Sequence, residues 1–322
     1  MKKLTAILLL LSICLFAFVS CGKDDGANAD QSGAATEKIK IGVMSGPTGM
    51  GMAKLISDNG LDSDKYEFKI YSSPEVGTAD LAAKDLDMLC LPTNAAANLS
   101  NKKADYISTI AINCLGSLYL VTDATEEIKS VSDLAGKTIY TSVATSTTKP
   151  IIEFILKENN VEAEIVVEAD HDTLVAKLAS GDAPIAVLPE PKVSAALLAN
   201  KTCSVDLNLS EEWSKVSETP LTMGCIVVRN DFLKANKSSV DAFLAEYKAS
   251  IEFIGDEANK DAAAQMIVDA GILPKLPVAK GALGNLYGSI VYQDGTEMKT
   301  SLIAFYNAIS CALPTNEFYY EK

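Results

Sequence analysis

The chain has 322 residues but only one histidine, His171, and one arginine, Arg229. A single imidazole excludes a His-rich zinc site and leaves a histidine-based triad with just one possible base. No Cys-x-x-Cys pair is present, and the glycine-rich turn at 45–49 does not end in Gly-Lys-Ser/Thr, so it is not a phosphate-binding P-loop. Basic residues are also scarce, 28 against 42 acidic ones, for a net charge of −14. A field of that sign disfavours nucleic acid and anionic membrane surfaces as partners. The apolar stretch at 6–19 (AILLLLSICLFAFV) falls short of the ~20 residues that span a bilayer.

That short stretch has another use. Lys2 and Lys3 precede it, and Val19 and Ser20 put small side chains just before Cys21. This is the layout of an export signal. The run FVSC resembles a bacterial lipobox, with Phe18 in place of the leucine usual at its first position. The resemblance implies a signal peptide over 1–20 and acylation of Cys21, hence an extracytoplasmic protein lipid-anchored to the bacterial cell membrane. Residues 21–37 are then a tether, small, polar and acidic, with too little apolar surface to offset the entropy of ordering. Removing Lys2 and Lys3 leaves 26 basic and 42 acidic residues, a net charge of −16. Once Cys14 leaves with the signal and Cys21 is acylated, five cysteines remain: Cys90, Cys114, Cys203, Cys225 and Cys311. An exported protein permits disulfides. The apolar runs around Cys90, Cys114 and Cys225 favour free, buried thiols instead.

From Lys38 onward, strand-like and helix-like segments alternate. Strands are expected at 38–44, 66–72, 87–92, 137–142, 162–169, 185–191 and 221–231, with helices between them and three more near the end. Asp172 is a natural cap for a helix over 172–182, and Thr93 or Asn94 for the helix after the third strand. Such alternation predicts an α/β fold with parallel sheets and helices on both faces. About 285 residues exceed what one core usually serves, so two domains are expected.

The runs IGVMSGPTGMGMAKL, LPTNAAANL, SVSDLAGKTIYTS, ATSTT and VLPEPKVSAALL, in that order, are together similar to solute-binding lipoproteins of ABC importers. Within them the chain resembles the nitrate/sulfonate/taurine and thiamine-precursor-like group, over residues 38–310. The resemblance implies a type II periplasmic-binding-protein fold, two α/β lobes with a ligand cleft between them. It implies crossovers near 113–117 and 219–225, one lobe of 38–115 plus 224–322 and the other of 116–223. It further implies a monomer that binds a small ligand, without a cofactor, and delivers it to an ABC permease and through it to the ATPase. Two alternatives share the fold: an enzyme of the thiamine-pyrimidine-synthase type and a sensory ectodomain. The first resembles a site needing histidine and a cysteine cluster, and the cysteines here are scattered.

The candidate binding residues follow strands at their carboxyl ends, where ligands bind in open α/β sheets. Ser45, Thr48 and Gly49 lie in the turn after the first strand, Thr93 and Asn94 after the third, and Thr145, Ser146 and Thr147 before a helix of the second lobe. Each group serves equally well as a helix cap. Asn113, Gly116 and Thr222 stand at the implied crossovers. Glu190, between two prolines, faces either an ammonium or amino-pyrimidine ligand or the opposite lobe as a latch. His171 reads as a solvated loop residue without a catalytic role, and Arg229 as a surface residue paired with acids or, alternatively, as a contact for an anion. Hydroxyl-rich helix starts favour an oxyanion. The lack of an arginine among the candidates, together with Glu190, favours a small organic ligand, and that is the expectation adopted.

Overall fold

The structure, a computed structural model, describes residues 38–142 and 147–321, which belong to one contact unit beginning at Thr36. The expected signal 1–20, Cys21 and the tether 21–37 lie outside the described residues, as do Thr145 and Ser146.

The first run of elements is β1 (Ile39–Met44), the one-turn α1 (Pro47–Met50), α2 (Ala53–Asn59), β2 (Tyr66–Tyr71), α3 (Pro74–Ala83), β3 (Met88–Pro92), α4 (Thr93–Lys102) and β4 (Ile107–Leu115). Then come β5 (Leu118–Thr122), β6 (Thr138–Ser142), α5 (Thr148–Glu158), β7 (Glu164–Glu168), α6 (His171–Ser180), β8 (Ile185–Pro189), α7 (Lys192–Ala199), β9 (Ser204–Asn208) and α8 (Leu209–Val216). The last run is β10 (Thr222–Arg229), α9 (Asn230–Ala235), α10 (Lys237–Gly255), α11 (Lys260–Asp269), α12 (Leu276–Asn285), β11 (Ile290–Gln293) and α13 (Gly295–Ala308).

Two sheets result. The first has the order β11-β4-β10-β3-β1-β2 and the second β7-β6-β8-β5-β9. Both are mixed, which corrects the expectation of parallel sheets. β1 runs parallel to β2 and β3, and β6 to β7 and β8. However, β10 is antiparallel to β3 and β4, and β5 to β8 and β9. β5 and β10 each enter a sheet from the other one, so no βαβ unit imposes parallel pairing on them.

The passage between sheets is short. β4 ends at Leu115 and β5 begins at Leu118, with Gly116 and Ser117 between them at φ 65° and 77°. A side chain at Gly116 would have its Cβ 2.2 Å from Ser210 Oγ, so both the positive φ and the crowding require glycine. The Gly116 N–H donates to the Leu221 carbonyl at 2.7 Å, and Leu115 pairs with Thr222. Outgoing and returning chains thus run side by side.

Interior strands read as continuous apolar runs because both faces are covered. β3 is buried through Leu91 and β4 through Cys114, whereas the edge strand β2 alternates, with Tyr66, Phe68 and Tyr71 inward. β10 carries Arg229 inward with it. Only 6% exposed, Arg229 is not the surface residue its sequence context suggests. Its Nη2 meets Asp87 Oδ1 at 2.8 Å, Nη1 meets Asp231 Oδ1 at 2.5 Å, and Nε donates to the Leu86 carbonyl. The five described cysteines are free, with Cys90, Cys114, Cys203 and Cys225 buried. Burial pushes the Cys90 and Cys114 thiols up to about 12.

Candidate functional site

A pocket of about 630 Å³ opens where the carboxyl ends of strands from both sheets come together. Met44 through Thr48 enter it after β1, Ser72 and Pro74 after β2, and Pro92 ends β3 beside it. From the second sheet come Thr147 and Thr148 after β6, His171 and Asp172 after β7, and Pro189 through Lys192 after β8. Ser117 and Met223 from the two passages, and residues 271–274 between α11 and α12, complete the lining.

The β1–α1 turn is built for close approach. Gly46 adopts φ 104°, ψ −165°, and Pro47 begins the helical turn where its missing N–H costs nothing. A Cβ on Gly46 would lie 3.6 Å from Pro191 Cδ, so turns from the two sheets meet there. Thr147 Oγ1 points to Met223 Sδ at 3.7 Å, across the same boundary. The Thr148 hydroxyl is held inside its own turn, donating to the Ser142 carbonyl and accepting from Thr141 Oγ1.

His171 is half-buried in this lining, which corrects its reading as a solvated loop residue. It is the first residue of α6, and Asp170 rather than Asp172 caps the helix, accepting from the Thr173 N–H at 2.7 Å. The extended backbone at Asp170 supplies the cap geometry two residues earlier than the sequence pattern suggests. His171 Nδ1 pairs with Ser142 Oγ. Burial, and next the positive charge of Lys192, pull the His171 pKa below its usual 6.5, against the opposing pull of Asp172 and Asp170. Lys192 is itself tied to Asp172 at 2.5 Å.

Glu190 lines the pocket although it is only 2% exposed. Its carboxylate accepts from Ser194 N–H, Ser194 Oγ and Asn285 Nδ2. Burial raises its pKa, while Asn285 and Ser194 act to lower it.

Of the sequence candidates, Ser45, Thr48, Thr147 and Glu190 line the pocket. Gly49, Thr93, Asn94, Asn113, Gly116 and Thr222 are not among the lining residues. Gly49, Thr93 and Asn113 have structural employments nearby. A Cβ on Gly49 would fall 1.9 Å from the Met44 carbonyl oxygen, so this glycine lets α1 pack on the end of β1. Thr93 is the first residue of α4, after Pro92 at the cap position, and its hydroxyl donates to the Thr222 carbonyl at 2.8 Å. Asn113 Nδ2 donates to the Tyr247 hydroxyl at 3.0 Å. The sequence reading missed His171, Lys192, Met223 and the 271–274 loop. Lys192 and Met223 stand close to the candidates Glu190 and Thr222, but nothing local marks the loop, which arrives from far along the chain.

A family profile described as NMT1/THI5 like matches residues 107–259. No curated protein matches the sequence. Among solved structures, an ABC transporter protein from Parabacteroides distasonis superposes with a TM-score of 0.72 at 20% identity, covering 88% of this chain and 99% of that one. The periplasmic aliphatic sulphonate-binding protein of Escherichia coli gives 0.69 at 15% identity, covering 88% and 92%. The periplasmic nitrate-binding protein of Synechocystis PCC 6803 gives 0.56 at 13% identity, covering 73% and 66%. The chain is thus matched by the NMT1/THI5-like family over residues 107–259, and it shares its fold with ABC-transporter proteins of the sulfonate- and nitrate-binding kind.

Proposed function

We propose that the protein is the extracytoplasmic solute-binding component of an ABC importer, a monomer anchored through an acylated Cys21. Residues 38–115 plus 224–322 form one lobe and 116–223 the other. A small organic ligand is held between them and delivered to a permease and its ATPase. The observation that carries this reading is the pocket at the carboxyl ends of strands from both sheets, lined by turns far apart in sequence. Ser45, Thr48 and Thr147, together with Thr145 and Ser146, are the proposed ligand contacts, and His171 joins them.

The charge of the lining supports an organic ligand over an inorganic anion. Among the described lining residues the basic side chains are Lys192, paired with Asp172, and His171, whose pKa burial lowers. Met44, Met223, Ile272, Leu273 and a series of prolines give the pocket an apolar wall. A synthase-like enzyme would gather cysteines at this place, and no cysteine is among the described lining residues. Mass spectrometry of the purified protein under native conditions is expected to find one small organic molecule per chain. Nitrate or sulfate as the bound species would overturn the ligand class. A failure of every small molecule to shift the melting temperature would overturn the function. Cys21→Ala should leave the protein unacylated and released from membranes, and a variant that stays membrane-bound would refute the anchor.

A further inference from the structure

The Glu190 carboxylate is held by donors of two origins. Ser194 N–H at 3.3 Å and Ser194 Oγ at 3.1 Å belong to the first turn of α7, just beyond the β8–α7 turn that carries Glu190. Asn285 Nδ2, at 2.5 Å, comes from the last residue of α12. That helix packs on α11, which packs on α2 beside the first sheet. Asn285 is gripped at its backbone as well, where its carbonyl accepts from the Tyr119 hydroxyl on β5. One turn earlier, a Cβ on Gly281 would lie 2.7 Å from Ser194 Oγ, so α12 and α7 approach more closely than a side chain permits. The 271–274 loop that leads into α12 and the turn that carries Glu190 both line the pocket.

We propose that Glu190 is a positioning residue and not a ligand contact: with Asn285 it clasps α12 to the β8–α7 turn and so fixes the spacing of two pocket walls. A cationic ligand would have to displace a protein donor from a buried carboxylate, and such charge-assisted bonds are among the stronger ones in a fold. The Tyr119 and Gly281 contacts act at the same seam, so the clasp is one joint and not an isolated bond. This inference rests on the two-lobe reading, since it assigns the joint between the lobes.

The test uses the purified chain dialysed free of small molecules, with Asn285→Ala, Asn285→Asp and the double variant Glu190→Gln/Asn285→Asp. The aspartate at 285 sets two carboxylates face to face. The double variant reverses the polarity of the bond and restores it, the new amide donating to the new carboxylate. At pH 8 both single variants should enlarge the radius of gyration in small-angle scattering. Amide exchange over 276–285 should quicken by roughly tenfold or more, as expected for a loosened local unit, while exchange in α13 stays unchanged. The double variant should return both readouts toward the parent. Parental scattering and exchange in the single variants, or a double variant no closer to the parent than Asn285→Asp, would overturn the clasp. Should Asn285→Asp unfold, Asn285→Ala alone decides. No ligand enters these measurements. An intact clasp in a protein that binds nothing would therefore refute the proposed function and leave this inference standing.

Discussion

Gly224 lies in β10 directly under the pocket-lining Thr48, and Gly224→Ala tests whether that threonine holds ligand. A Cβ at this position would meet Asn113 Oδ1 at 2.6 Å, Thr48 Oγ1 at 2.9 Å and Thr48 Cγ2 at 3.0 Å, all inside the 3.4 Å at which ordinary contact begins. Asn113 cannot yield easily. It sits in the interior strand β4, 1% exposed, with its amide donating to Tyr247. Thr48, in the one-turn helix α1, is the side chain that moves. Overpacking of this kind costs about 1–3 kcal/mol of stability. Moving the hydroxyl away from the pocket forfeits a buried hydrogen bond to the ligand, worth about 1–3 kcal/mol, or a roughly 5- to 150-fold weaker Kd. Urea unfolding of the ligand-free protein and calorimetric titration with the co-purifying ligand separate the two effects. Thr48→Val serves as comparator, since it removes the hydroxyl without adding bulk and should weaken binding at nearly parental stability. If Gly224→Ala loses stability but binds with parental affinity, Thr48 is framework and not a ligand contact. If neither quantity changes, the packing argument itself fails.

Arg229→Met should destabilise the fold by about 3–5 kcal/mol, because it leaves the buried Asp87 carboxylate without its partner; adding Asp87→Leu should recover part of that loss, and urea midpoints of the two variants check it. The single histidine gives one imidazole signal in proton NMR, which should titrate below the usual 6.5. Since the folded state releases this proton more readily than the unfolded chain, stability should fall as pH drops from 6.5 through the lowered folded value, then level off. His171→Gln should remove that component, and an unchanged urea midpoint profile would refute the assignment. Thiol labelling of the native protein at pH 8 should reach Cys311 first and spare Cys90, Cys114 and Cys225 until denaturant is added, because burial raises all three thiols; equal native reactivity would contradict their burial.

The α/β class was legible in the sequence because interior strands are marked by their own residues. The runs around Cys90 and Cys225 are apolar throughout, and burial on both faces demands that. The end of α6 at Gly181 was legible for a similarly local reason, since only a residue at ease with φ 83° stops the helix there. β9 and β11 escaped notice. SVDLN and IVYQ are short edge strands, the first mostly polar and the second only four residues long, and pairing with β5 and β4 makes them strands.

Local sequence therefore determined which segments become strands and helices, and that turns rich in glycine and hydroxyl groups follow β1, β3 and β6. Strand direction, and the neighbours each turn meets, were decided by tertiary structure alone. Thr93 and Thr48 looked equivalent in sequence, yet the hydroxyl of one is tied to the Thr222 carbonyl while the other lines the pocket. His171, Arg229 and Glu190 are held by Ser142, Asp87 and Asn285, partners 29, 142 and 95 residues away. A charge or a donor at that distance leaves no trace in the local pattern, because the chain brings the two together only by folding.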